Sequence, residues 1–263
     1  MKKYIVIAIL LLASVSWAGC KDDVCKPIQL AKTGYYAGAA ASAAAGPVYT
    51  DCSQIGSDNF VYFSDYSGDT DKACKTGGTA IDGTISAGEV VAGGTDPGTA
   101  SPTSAGNVVK LNATNDYIRW PITSGDIGNS SEGKLCFDVY VSLSTGNCTW
   151  YPQYYNGTNN ILVTFNATNT IGLTHVGNGT SVSMTSTATF TDATWTNVCI
   201  RWSVTNNKTS IKIGAGDWED DADADSVTAF ATESSYVYVG YGTIPTDHVL
   251  YVDNLTGTNV SGL

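Results

Sequence analysis

Charge is what this sequence has least of. Charged residues make up 14% of its 263 positions, where an average soluble protein carries about 25%. Cations are the scarcer sign: 13 Lys and Arg face 24 Asp and Glu, for a formal net charge of −11. That balance argues against nucleic acid as a partner, because such binding needs clustered Lys and Arg to displace counterions. Beyond the first residues no apolar run is long enough to span a membrane. No heptads, no helical pattern longer than a turn or two and no internal repeat of solenoid length are found. The cysteines form no Cys-x-x-Cys pair, so a zinc site has little support. Gly-x-Ser-x-Gly, His-Glu-x-x-His and P-loop patterns are also missing. The two histidines, His175 and His248, sit on separate strand patterns and read as surface or semi-buried residues.

What the chain does have is strand and turn chemistry. By count it holds 33 threonines, 17 asparagines and 28 glycines, with 43% hydrophobic residues. Threonine, valine and tyrosine favour strands, while glycine and asparagine favour turns. Residues 1–18 read as a secretory signal peptide. Lys2 and Lys3 form the positive start, Tyr4 to Val15 the apolar stretch, and Ser16-Trp17-Ala18 a cleavage site. Removing them leaves 11 basic residues against 24 acidic ones. Ala18-Gly19-Cys20 resembles the end of a bacterial lipobox, with Cys20 as the lipidated residue and a membrane tether. Trp17 departs from that pattern, and ordinary cleavage after Ala18 is the alternative. Without Cys20, six cysteines remain: Cys25, Cys52, Cys74, Cys136, Cys148 and Cys199. Such a set can form three disulfides in an oxidising compartment, with pairing open. Both readings place the protein outside the cell, secreted or at the cell surface.

Residues 19–46 form an Ala/Gly-rich flexible stalk, and residues 47–263 the folded domain. Alternation is clearest at 135–143, where Phe137, Val139, Val141 and Leu143 share one face, and at Val198, Ile200, Trp202 and Val204. Residues 64–106 read as a long irregular excursion with one short strand near Glu89–Ala92. Around ten short strands with Asn/Gly turns predict an all-β, antiparallel two-sheet sandwich.

Asp116-Tyr117-Ile118-Arg119-Trp120, then Asn129 to Val141 with its Ser-Glu-Gly-Lys turn, resemble the front of the laminin-G-like, concanavalin A-like jelly roll. Trp195-Thr196-Asn197-Val198-Cys199-Ile200-Arg201-Trp202, Ile211 to Gly214, Val237 to Tyr241 and Leu250 to Leu255 resemble its later strands. The resemblance covers roughly residues 107–263. It implies two stacked antiparallel sheets, often a structural calcium, and often binding of a glycan or surface protein. The related hydrolases carry Glu-x-Asp-x-x-Glu, which aims two carboxylates at one glycosidic bond, and no such run is present. Ser131-Glu132-Gly133-Lys134 matches Ser-x-x-Lys, a motif short enough to recur by chance.

Two candidate sites follow. Cys148 to Gly157 holds four aromatics within six residues, with Trp150, Tyr151, Gln153, Tyr154, Tyr155 and Asn156 as candidate sugar contacts. Aromatic planes take the C–H faces of sugar rings, and amides bond their hydroxyls. Strict alternation pairs Trp150 with Tyr154 and Tyr151 with Tyr155. One pair then lines a binding face, or one is core and the other ordinary surface. Trp218 is a further stacking candidate. For calcium, Asp221, Asp223 and Asp225 resemble the first half of a calcium loop; a solvated acidic loop is the alternative. Asp253 matches the acid of the resembled closing strand, with Asp65 or Asp69 as its partner. The sequence thus predicts a non-catalytic carbohydrate-binding or adhesion module. A self-assembling surface protein and a glycoside hydrolase or polysaccharide lyase with an unrecognised site are the alternatives. Nine Asn-x-Ser/Thr sequons would predict heavy glycosylation in a eukaryotic secretory pathway; the leader resembles a bacterial one, which favours a simple reflection of the Asn/Thr-rich composition.

Overall fold

The computed structural model describes residues 60–62, 72–75, 79–86, 88–92, 96–99, 107–121, 132–143, 146–156, 159–178, 180–221, 236–258 and 262–263. All lie in one compact unit, Ala41–Leu263. The expected signal peptide (1–18) and stalk (19–46), and Cys20, Asp65, Asp69, Asp223 and Asp225, fall outside the described residues.

Every described element is a strand. In chain order they are β1 (Phe60–Tyr62), β2 (Lys72–Lys75), β3 (Thr79–Asp82), β4 (Thr84–Ser86), β5 (Glu89–Ala92) and β6 (Asn107–Leu111). Next come β7 (Tyr117–Pro121), β8 (Glu132–Ser142), β9 (Cys148–Asn156), β10 (Asn159–Phe165), β11 (Thr170–Gly177) and β12 (Thr180–Thr189). The last are β13 (Thr196–Ser203), β14 (Lys208–Ile213), β15 (Glu219–Asp220), β16 (Tyr236–Gly240) and β17 (Val249–Thr258). They form two antiparallel sheets. The seven-stranded sheet runs β12-β11-β10-β9-β16-β7-β4. The ten-stranded sheet runs β15-β14-β13-β8-β17-β1-β2-β3, with β6 also on β17 and β5 on β6.

The period of two explains the layering. On β8, Leu135, Phe137, Val139 and Val141 point inward and are fully or almost fully buried. On β13, Val198, Ile200 and Trp202 do the same. The inner faces meet at an edge-to-face contact of Phe137 on β8 with Trp150 on β9, centroids 4.5 Å apart. A wedge of aromatic and branched side chains thus holds two sheets face to face. Ser210 and Lys208 fix the short β15 through Asp220 (2.8 and 2.7 Å). The expectation of an irregular 64–106 needs correction, since β2, β3 and β4 lie within it. Their Lys, Thr and Ala residues show no apolar alternation; β2 forms on β1, β3 on β2, and β4 on β7.

One core residue carries a pH consequence. His175 on β11 faces inward, 1% exposed, with its ring 6.3 Å from that of Trp202. Burial lowers its pKa from 6.5 to about 4. The unfolded chain takes up a proton near pH 6.5 that the folded chain refuses until about pH 4. Stability therefore falls as pH drops through that window, by about 3 kcal/mol in all. Urea melts between about pH 7.5 and 4.5 should show this loss in the native protein and a smaller one in His175→Leu. Equal losses in both would contradict it.

Candidate functional site

The outer faces of the sandwich carry two aromatic clusters, and their polar partners distinguish them. On the ten-stranded sheet, Tyr140 lies edge-on to Trp195 (5.8 Å) and Tyr251 (5.6 Å). This cluster is spoken for by the chain itself. The Trp195 indole donates to the Thr99 carbonyl at 2.8 Å, the Tyr251 hydroxyl to Asp96, and Lys110 reaches Asp96 at 2.6 Å. The Lys110 and Tyr251 hydrogen bonds hold the Asp96 carboxyl below its ordinary range. The cluster anchors the loop over it.

On the seven-stranded sheet the cluster is built differently. Ile118, Trp120, Val237 and Val239 are fully buried in the core. Alternation therefore turns Tyr117 and Arg119 of β7, and Tyr236 and Tyr238 of β16, to the outer face. The register sets Arg119 beside Tyr238 and Tyr117 beside Gly240. Tyr241 completes the group: its ring stacks on Tyr238 at 5.1 Å and meets Tyr117 edge-on at 5.7 Å. Tyr117 also meets Tyr238 edge-on at 5.6 Å, and Tyr236 lies 6.0 Å from Tyr238. The Arg119 guanidinium sits over the Tyr236 ring at 4.5 Å and the Tyr117 ring at 5.6 Å.

Arg119 is held in place by phenols. Its hydrogen bond with Tyr238 is the largest influence and raises its pKa, against burial. Burial pushes the Tyr238 hydroxyl up. Among the described residues Arg119 pairs with no carboxylate, and its Nε–H has no acceptor. The nearby Asp116 is otherwise engaged: its carboxylate accepts from the Asn112 and Ala113 amides at 3.1 and 2.8 Å.

The backbone around Tyr241 is tightly fixed. The Tyr241 amide donates to the Asp116 carbonyl (2.8 Å), and the Gly242 carbonyl accepts from the Asn115 amide (2.9 Å). Thr149 receives the Thr243 amide on its hydroxyl (2.8 Å) and donates its own amide to the Thr243 carbonyl (2.9 Å). Tyr241 itself has a φ of 57°, a left-handed conformation that costs a non-glycine residue about 1–3 kcal/mol. A strained, pinned aromatic thus stands beside a guanidinium flanked by tyrosine rings.

The sequence candidates distribute otherwise. Trp150 is a correction: it is fully buried, packs on Phe137 and donates its indole N–H to the Tyr238 carbonyl at 2.9 Å. A side chain closed off from solvent touches no sugar. For Tyr151, Gln153, Tyr154, Tyr155 and Asn156 the backbone of β9 is described and the side chains lie outside the described residues. The register of β9 on β10 shifts between Trp150 and Gln153, and one extra residue moves later side chains out of strict alternation. Trp218 is half-buried with Arg201 over one ring face at 4.0 Å.

The acidic run begins as structural ligature. Glu219 of β15 accepts from the Thr187 amide (2.5 Å), the Thr187 hydroxyl and the Ala188 amide (both 2.8 Å) on β12. It thereby joins the edges of the two sheets. Burial pushes its pKa up, but these bonds outweigh it and hold the carboxyl low. Asp221 follows, half-buried, its amide donating to the Thr209 carbonyl. Asp253 is fully buried opposite Asp138 on the neighbouring strand; Asn197 donates to Asp138 at 2.8 Å. Among the described residues no group of three potential metal ligands gathers, and the other carboxylates of both candidate calcium sites, Asp65, Asp69, Asp223 and Asp225, lie outside those residues.

The cysteines also settle in part. Cys136 on β8 and Cys199 on β13 face each other and form a disulfide, while Cys148 is free and buried in the core. Burial, with Asp247 nearby, pushes the Cys148 thiol up to about 12. With Cys148 unpaired, Cys20, Cys25, Cys52 and Cys74 are left, an even set. The odd count therefore no longer singles out Cys20.

No family model matches the chain, and no curated protein matches it. Solved structures do. The ligand-binding domain of botulinum neurotoxin serotype D, in complex with N-acetylneuraminic acid, is 13% identical with a TM-score of 0.54. The alignment covers 78% of this chain and 48% of that one. The binding domain of botulinum neurotoxin DC, in complex with SialylT, is 12% identical with a TM-score of 0.52, over 71% and 44%. The serotype G binding domain is 14% identical with a TM-score of 0.50, over 71% and 46%. The chain thus spans about half the length of these structures. At this identity the likeness is one of fold, an all-β sandwich.

Proposed function

We propose that this protein is a non-catalytic carbohydrate-binding module of a secreted or surface-attached protein, with a concanavalin A-like jelly-roll fold. Its site is the outer face of the seven-stranded sheet at Tyr117, Arg119, Tyr236 and Tyr241, with Tyr238, only 5% exposed, supporting them from within the cluster. The observation that carries this reading is the pinned group of four tyrosines around one guanidinium. Phenol rings offer flat C–H-accepting faces to a sugar, and their hydroxyls offer hydrogen bonds. A surface fixed before binding loses little entropy when it binds. Of the solved structures of similar fold, one is in complex with N-acetylneuraminic acid and one with SialylT, which supports the reading. A glycan array probed with the purified domain tests it. Binding to a definable set of sugars is expected; no binding across neutral and acidic glycans would overturn it.

A further inference from the structure

We propose that the sugar bound at this face carries a carboxylate, and that Arg119 is the residue that reads it. The inference rests on the carbohydrate-binding reading and narrows its ligand class. Arg119 is one of only 13 cations in a chain with 24 acids. In such a chain a buried or half-buried arginine readily finds a carboxylate partner, as Arg201 does with Asp220 at 3.5 Å. Arg119 is flanked instead by the rings of Tyr117 and Tyr236 and bonded to Tyr238. Phenols orient a guanidinium without neutralising it; the Arg119 Nε–H lies buried, so the terminal N–H groups of the half-buried side chain are the donors that meet an outside anion. A planar carboxylate matches those donors with two parallel bonds. The tyrosines then take the ring that bears it, so one site recognises both the apolar face and the charge of an acidic sugar.

Charge sharpens the test. The molecule carries a net charge of −11, so its overall field repels a polyanion. Retention of an acidic polysaccharide therefore reports a local site rather than non-specific attraction. Binding of the full chain should be measured to polysialic acid, to polygalacturonate, to each polymer after carboxyl reduction, and to a neutral glucan. Retention of one or both acidic polymers is expected, with at least a tenfold weakening on carboxyl reduction and on Arg119→Gln, and a smaller one for Arg119→Lys. Which polymer is retained tells a sialate from a uronate. Equal binding to native and reduced polymers would overturn the carboxylate inference and leave the glycan reading standing. No binding to any polymer would overturn both. Carboxyl reduction alters the ligand alone, so the test holds even where a substitution at Arg119 impairs folding.

Discussion

Gly240→Ala should destabilise the protein severely and disorder the binding face with it. Gly240 ends β16 at a φ of 96°, and a Cβ there would stand 2.2 Å from the Asp116 carbonyl oxygen. The obstacle is backbone, and it is the same carbonyl that receives the Tyr241 amide. Forcing a side chain into that conformation costs about 1–3 kcal/mol. Relieving the clash by moving packed strands costs about 1–3 kcal/mol more. Together these amount to a fall in melting temperature of about 10 °C. Because β7 and β16 pair through this point, Tyr117 and Tyr241 should lose their mutual placement as well. Thermal melting followed by circular dichroism checks the first part; a melt within a degree or two of the native protein would contradict it.

Trp150→Ala should also be costly, for a different reason. The side chain is fully buried between the sheets, and its indole is tied to the Tyr238 carbonyl. Truncating a buried tryptophan costs about 3–5 kcal/mol, because the surroundings close the cavity only in part. The protein should melt much earlier, yet sugar affinity per folded molecule should change by no more than about threefold, or about 0.6 kcal/mol. Normal melting with binding abolished is the contrary result, and it would return Trp150 to a surface role.

These two residues show how far the sequence could be read. The frame was legible where one face of a strand repeats every second residue: β8 and β13 show their core positions directly in Leu135 to Val141 and Val198 to Trp202. It was illegible where pairing alone makes the strand, as in β2 to β4, whose side chains carry no alternation. The site was harder. The densest aromatic run drew attention to Trp150, but that ring shares the inward face with Cys148 and is fully buried, and the register shift in β9 comes only after it. Tyr117 and Arg119 sat in view, on the outward positions of the strand that buries Ile118 and Trp120. So did Tyr236, Tyr238 and Tyr241, around Val237 and Val239. The signal was the matched pair of polar-aromatic outer faces, Tyr-x-Arg and Tyr-x-Tyr-x-x-Tyr. Only the register of β16 on β7 reveals that they are one surface. The first acids of the run bind the protein's own donors, Glu219 those of β12 and Asp220 those of β14, an assignment that needs both strands to be in place.

As proposed, the outer face of the seven-stranded sheet is a binding surface built at some expense of stability. Tyr241→Asn tests it most directly. Asparagine tolerates the left-handed backbone far better than tyrosine does, so the substitution relieves strain while removing the ring stacked on Tyr238. The variant should melt close to or above the native protein, with affinity for the array's best glycan reduced at least tenfold. Unchanged affinity in the well-folded variant would contradict it.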